Sequence, residues 1–275
     1  MNRKTAAAAL LLLFSASAAE AAEQHLNFVA CPILRDTKTV PCWLAEYKGE
    51  LYYLGIQQDA AAEFYPPFLG HEVLAEGVVS DEPRICGGVV LKPVHISNLP
   101  ELAPACNTML PAEDKYTVPF AVRGPGPNPK PSLGRRIGGA PTPAGPKGPF
   151  SKTTFTVYYD FDTDWANRWA RVLGDAAAMV KASNAAEVEV TAYRASVKLS
   201  DGQDFAERKD IAERRAKRLG QTFQELGIPA GTIKVTWKDD PAHGDGQEDY
   251  KLRRAEITVT PGVAALQGVR ADASR

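Results

Sequence analysis

A thirty-residue stretch near the middle decides how this chain can be organised. Residues 121–150, AVRGPGPNPKPSLGRRIGGAPTPAGPKGPF, contain eight prolines and seven glycines. Such a segment has little apolar surface to set against the entropy of ordering it. It therefore reads as a semi-extended linker, stiff where proline dominates and looser at Gly138-Gly139, with Arg135 and Arg136 keeping it soluble. The two flanks differ in character. All four cysteines precede the linker, and most of the helix-period patterning follows it. The expected organisation is a leader over 1–21, a disulfide-bonded β domain over 22–118 and a linker over 119–150. A second domain over 151–262 and a flexible tail over 263–275 complete it, with the two halves separable by limited proteolysis.

The leader has a short charged start at Asn2, Arg3 and Lys4, an apolar run from Thr5 to Ala18, and small residues around Ala19-Glu20-Ala21. That is the pattern of a cleaved secretory signal, with the mature start near Ala22. The apolar run is shorter than the roughly 20 residues that a bilayer requires, and no later stretch is apolar enough to span one. Cys31 is too far from the run to accept a lipid. The whole chain of 275 residues carries a net charge of -1, which supplies no general attraction to nucleic acid. The expected compartment is the periplasm, at the outer membrane or the cell wall.

Export also explains the cysteines. Cys31, Cys42, Cys86 and Cys106 lack the close C-x2-C pairs of a zinc site, so two disulfides are expected, and no metal or cofactor. Three pairings are open; closing short loops favours Cys31–Cys42 with Cys86–Cys106. Trp43 to Tyr47 and Leu51 to Leu54 are β-prone runs around a turn at Lys48-Gly49-Glu50. Glu72 to Val79 and Ile85 to Ile96 read as further strands, the latter bent at Gly87-Gly88. Several short strands stapled by disulfides suggest a small barrel or sandwich. Gly70-His71-Glu72-Val73-Leu74-Ala75-Glu76-Gly77 resembles a strand of an OB-type barrel. His71, His95, Glu72, Glu76 and Asp81 are the polar groups to consider for catalysis, but no nucleophile motif or paired-His spacing surrounds them, so no enzyme is expected. Phe64-Tyr65-Pro66-Pro67-Phe68 is a candidate contact surface.

Beyond the linker, Phe155, Val157, Tyr159 and Phe161 alternate as a half-buried strand. Trp165, Trp169, Val172, Leu173, Ala176 and Val180 recur at helical spacing, which makes both tryptophans core residues. Val188 and Val190 mark a second strand. Asp204 and Glu207 have the spacing of a capping box, so a second helix is expected from about Glu207, with Ala212, Ala216, Leu219 and Phe223 as its apolar stripe. Gly227 and Pro229 end it. Ile233, Val235 and Trp237 alternate as a third strand, and Ala255, Ile257 and Val259 as a fourth. The predicted class is α+β, in the order βαβαββ, with two helices covering one face of a sheet.

Four segments of this half carry a family resemblance. Tyr159-Asp160-Phe161-Asp162 resembles an "F-D" strand end, and Ile211-Ala212-Glu213-Arg214-Arg215-Ala216 is similar to "LSxxRA". Leu226-Gly227-Ile228-Pro229 is similar to the "L-x-x-x-G-I" turn, and Leu252-Arg253-Arg254-Ala255-Glu256-Ile257 to the closing "NRRVEI". In this order and spacing, over residues 152–261, they resemble the OmpA-like peptidoglycan-associating domain of Gram-negative bacteria. The resemblance implies a wall anchor in which an Asp and the "LSxxRA" arginine hold the zwitterionic diaminopimelate end of a stem peptide. A guanidinium fork takes the carboxylate, and a carboxylate takes the ammonium. Arg215 matches that arginine, while Arg253 and Arg254 match a pair that supports the site.

The pattern departs from the family at the acid. "G-x-T-D" becomes Ala192-Tyr193-Arg194-Ala195, and the Asn before "LS" becomes Arg208. Arg194, Arg208 and Arg215 would favour an anion, unless Asp201 or Asp204 replaces the missing carboxylate. Arg208, Arg214, Arg215, Lys217 and Arg218 also fit a solvated basic helix face. Two functions follow: a non-catalytic periplasmic protein bound to peptidoglycan, or a degenerate domain serving as a scaffold for another envelope protein or an anionic ligand.

Overall fold

A computed structural model of the chain describes residues 23–56, 65–116, 118, 148–166 and 169–262, and the structural statements concern these. The leader, the tail, Phe64 and nearly all of the linker lie outside them.

The N-terminal half is a seven-stranded sheet: β1 (His25–Ala30), β2 (Pro32–Arg35), β3 (Cys42–Tyr47), β4 (Glu50–Ile56), β5 (His71–Val79), β6 (Val89–Leu102) and β7 (Thr108–Leu110). The order is β1-β5-β6-β4-β3-β2-β7. β1 and β2 are two halves of one strand interrupted at Cys31, so the path returns to its start and the sheet closes. β4 pairs with β6 and β2 with β7 in parallel, and the other pairings are antiparallel. This is the connectivity of a five-stranded OB-type barrel. The β3–β4 hairpin turns where expected: Lys48 and Gly49 both have positive φ, at 52° and 79°, as a tight hairpin requires. Gly88 is required by packing instead. A Cβ there would lie 2.7 Å from the Tyr53 nitrogen and 2.9 Å from Leu44 Cδ2.

All four cysteines are in disulfides, but the pairing corrects the short-loop expectation: Cys31 joins Cys106 and Cys42 joins Cys86. The physical reason is the barrel. Cys31 sits at the break between β1 and β2 and ties it to the approach to β7, which pairs β2 in parallel. Cys42, at the start of β3, ties to the turn that leads into β6.

The C-terminal half has β8 (Thr153–Tyr158), α1 (Trp169–Ala182), β9 (Glu187–Lys198), β10 (Asp204–Ala206), α2 (Ile211–Glu225), β11 (Ile233–His243) and β12 (Arg254–Thr260). β12 lies between β8 and β9, and β11 pairs with β9 in parallel on its other edge. The two-residue alternation sorts the faces. Val157, Val188, Val190, Ala192, Ala255, Ile257 and Val259 are buried under both helices with Leu173, Ala176, Leu219 and Phe223. The opposite face carries polar pairs across strands: Thr154 with Thr258, Thr191 with Thr236, Lys234 with Glu189 and Tyr193 with Glu256.

Two expectations change here. α2 begins at Ile211 behind Asp210, not near Glu207, and no side chain caps it. Asp204 is not a cap; Asp204–Ala206 extends the sheet by pairing with Ser196–Lys198, and Glu207 is drawn inward. Trp165 precedes α1, is 43% exposed and donates Nε1–H to the Tyr65 hydroxyl at 3.1 Å. Trp169 is half-buried against the core.

The two halves are packed together. Leu74 and Leu99 of the barrel form one buried cluster with Phe161 and Val197. Asn27 donates Nδ2–H to the carbonyls of Lys198 and Gly246, each at 3.1 Å, and its backbone N–H to Ser200 Oγ at 2.9 Å. The Phe161 N–H donates to Ser97 Oγ at 2.9 Å, and His95 Nε2 lies 3.2 Å from Asp160 Oδ1. At the centre, Arg253 Nη1 and Nη2 donate to Glu76 Oε1 and Oε2 at 3.1 and 2.5 Å, with both side chains buried.

Candidate functional site

The site implied by the "LSxxRA" resemblance is formed where β8 ends, β9 ends and α2 begins. α2 places Arg215 on its buried stripe, between Ala212 and Leu219. β8 leads into Tyr159-Asp160-Phe161-Asp162, which turns back with Asp162 at φ 56°. β10 and the following turn deliver Glu207 from the third side.

Arg215 is fully buried, and each of its five N–H donors has a partner. Nε donates to the Thr163 carbonyl at 2.7 Å, Nη1 to the Tyr193 carbonyl at 3.1 Å, and Nη2 to the Asp160 carbonyl at 3.2 Å. The remaining two form a fork onto Glu207, at 3.0 Å from Nη1 and 2.6 Å from Nη2. The guanidinium also lies over the Tyr159 ring, 4.5 Å from its centroid. The Glu207 carboxylate is equally occupied. Besides Arg215 it accepts the Asp162 N–H on Oε1 at 3.0 Å and the Ala195 N–H on Oε2 at 2.9 Å. A carboxylate has about four lone-pair sites, and all are filled. Burial pushes the Tyr159 phenol far above its usual range.

Ala195, where the family pattern has an acid, is completely buried and contributes only backbone. The carboxylate beside Arg215 comes from Glu207 instead. Sequence reasoning passed over it because Asp204-x-x-Glu207 has the spacing of a capping box. One signal was available: Arg215 is three residues after Ala212 and four before Leu219, so the helical period points it inward. A buried arginine needs a carboxylate nearby.

The other proposed residues divide. Arg194 and Arg208 are brought to this site. Arg194 donates Nε–H to the Glu207 carbonyl at 2.6 Å and Nη1–H to the Asp239 carbonyl at 3.0 Å. Arg208 binds Asp162, its N–H reaching Oδ1 at 2.6 Å and its Nη2 the Asp162 carbonyl at 3.0 Å. Burial is the main influence on the Asp162 carboxyl and raises its pKa, against the Arg208 hydrogen bond. Asp201 and Asp204 do not converge here. Asp201 accepts from Gln203 within the β9–β10 turn, and Asp204 pairs with Lys198 at 3.2 Å.

Arg253 and Arg254 go to opposite faces. Arg254 lies on the polar face, with Glu256 at 2.9 Å and over the Tyr193 ring at 4.5 Å. Arg253 is the interdomain residue that holds Glu76. Burial opposes its charge, while the charge and hydrogen bonds of Glu76 raise its pKa above the usual value.

In the barrel, His71 Nδ1 lies 2.8 Å from the Leu99 carbonyl, and Glu76 is held by Arg253. Among the described residues no group of three or more His, Cys, Asp or Glu is placed to hold a metal, and no helix is long and apolar enough to cross a membrane.

No protein-family model and no curated protein matches this chain. Solved structures do resemble part of it. The OmpA-like domain of FopA1 from Francisella tularensis aligns at 18% identity over 40% of this chain and 73% of that one, with a TM-score of 0.32. The peptidoglycan-associated lipoprotein from Burkholderia pseudomallei aligns at 17% identity over 38% and 90%, with a TM-score of 0.31. The periplasmic domain of Helicobacter pylori MotB aligns at 13% identity over 45% and 85%, also at 0.31. At these scores the likeness carries no weight for ligand or mechanism.

Proposed function

We propose that this protein is a non-catalytic component of the bacterial cell envelope, a two-domain scaffold whose OmpA-like domain docks on its own disulfide-bonded barrel and presents the composite to another envelope protein. One observation carries this reading. The arginine that would grip a stem-peptide carboxylate has all five donors satisfied within the chain, two of them by Glu207. An external carboxylate would have to displace a buried, bidentate, charge-assisted pair to reach it. The barrel covers the same end of the sheet, since His95 and Ser97 contact Asp160 and Phe161.

Peptidoglycan association is the second reading, and a different feature favours it. At the rim of the closed site, Arg208 is 39% exposed beside Asp162, and Arg214 pairs with Asp164 at 3.0 Å. The exposed guanidinium groups of Arg208 and Arg214, with the half-buried Asp164 carboxylate, offer both charges to a zwitterion such as the diaminopimelate end of a stem peptide.

Sedimentation with isolated cell-wall sacculi separates the two. The scaffold reading expects the mature protein to stay in the supernatant. Sedimentation that is abolished by Arg208→Ala, with circular dichroism unchanged, would establish wall association through the rim and overturn it.

A further inference from the structure

A cavity of about 290 Å³ lies where the barrel meets the C-terminal half, away from Arg215. Ligand sites favour such domain junctions, and this volume suits a small molecule. Its apolar floor is Val78 of β5 with Pro93 and Val94 of β6. Tyr250 forms an aromatic wall, stacked on His95 with ring centroids 4.8 Å apart and planes 10° from parallel.

The polar groups are matched to one kind of ligand. Asn27 lines the cavity, but both of its side-chain donations go to backbone carbonyls, of Lys198 and Gly246. Its Oδ1 accepts no hydrogen bond from the described residues and remains an acceptor. Glu248 stands at the exposed mouth; Lys251 takes Oε2 at 2.6 Å, while among the described residues Oε1 accepts from the Tyr250 hydroxyl alone, at 3.3 Å. The hydrogen bond from Lys251 is the main influence lowering the Glu248 pKa, so this group is anionic at neutral pH. Glu76 also lines the space, but both of its oxygens are held by Arg253; His25 and His95 line it too, and no lysine or arginine does. The cavity thus offers the Asn27 and Glu248 oxygens, two imidazoles and a ring, with its amide donors already used.

We propose that this interdomain cavity is a binding site for a small amphipathic amine, with the ammonium at Glu248 and Asn27 Oδ1 and an apolar body against Val78, Pro93 and Val94. The Tyr250 ring adds cation–π attraction to the head group. This goes beyond the scaffold reading and stands on different residues.

The test uses the isotope-labelled mature protein, with benzylamine, benzyl alcohol and benzoate as probes of one size and three head groups. Benzylamine should shift the amide resonances of Val78 and Val94 saturably, benzyl alcohol should do so more weakly, and benzoate should leave them in place. Glu248→Gln, at an exposed position, should weaken benzylamine about tenfold, the effect of losing one charge-assisted contact. Benzoate binding as well as benzylamine would overturn the proposal. So would unmoved Val78 and Val94 amides, or equal benzylamine affinity in Glu248→Gln.

Discussion

Two arginine–carboxylate pairs are buried among the described residues, and they are built differently. Arg215 and Glu207 are eight residues apart in the chain and close the end of one sheet. Arg253 and Glu76 are 177 residues apart and join two domains. The first pair is surrounded by backbone: three carbonyls complete Arg215, and two N–H groups complete Glu207. The second has one further partner among the described residues, the Tyr159 carbonyl, 3.3 Å from Arg253 Nε. A buried ion pair offsets its desolvation only when the remaining donors and acceptors are also satisfied. The local pair meets that condition fully, so it is part of how its domain folds. The long-range pair leaves two Arg253 N–H donors without a partner among the described residues and forms only while the domains stay together, so it is placed as a latch rather than as part of either domain's own folding.

The largest expected effect comes from breaking the local pair. Glu207→Ala leaves Arg215 as an uncompensated buried charge and also orphans the Asp162 and Ala195 N–H groups. The loss should be about 3–5 kcal/mol, read as a lower urea midpoint for the C-terminal half. A loss under about 1 kcal/mol would mean that Glu207 is not the group that neutralises Arg215. Glu76→Ala should cost less, about 1–3 kcal/mol, because Arg253 regains water if the domains part. The clearest readout is association. With a protease site inserted in the segment 128–140, wild type should be cut into two fragments that still elute together, held by the interface. The cut Glu76→Ala protein should separate into two. If wild-type fragments separate as readily, the latch contributes nothing measurable.

The same contrast explains what could be read from sequence. The alternations at Val188/Val190 and Ala255/Ile257/Val259 were legible because one face is covered and the other is wet, which fixes a two-residue period. Arg215 was legible as a residue of interest, but it also fits a solvated basic face; the stripe through Ala212 and Leu219, which buries it, was the signal left unused. Its partner was not legible, because Asp204-x-x-Glu207 satisfies a local capping pattern that β10 pairing overrides. Glu76 and Arg253 each stand out in the sequence, one as a candidate polar group of the barrel and the other as a supporting arginine, but nothing there pairs them: only the docking of two domains joins them. The disulfides failed for a related reason. Loop-closure arguments favour near neighbours, whereas barrel closure brings Cys31 to Cys106, 75 residues away.

The smallest expected effect is a slope rather than a loss, and it tests the rim between the two pairs. Asp162 has its pKa raised chiefly by burial. A carboxyl whose folded pKa lies above its unfolded value binds a proton more tightly when folded. Its contribution to stability is therefore fully present below the unfolded pKa, near 4, and is lost as pH rises through the folded pKa. Asp162→Asn removes that titration while its side-chain oxygen can still accept the Arg208 N–H. The difference in stability, Asp162→Asn minus wild type, should therefore increase as pH rises from about 4 towards neutrality. At neutral pH the shift should be small beside that of Glu207→Ala, because Arg208 partly compensates the Asp162 charge at 3.7 Å. Urea unfolding of both proteins across this range checks the sign. A difference that falls with rising pH would mean that Arg208 outweighs burial, leaving the rim a surface ion pair and confining the buried chemistry to Arg215 and Glu207.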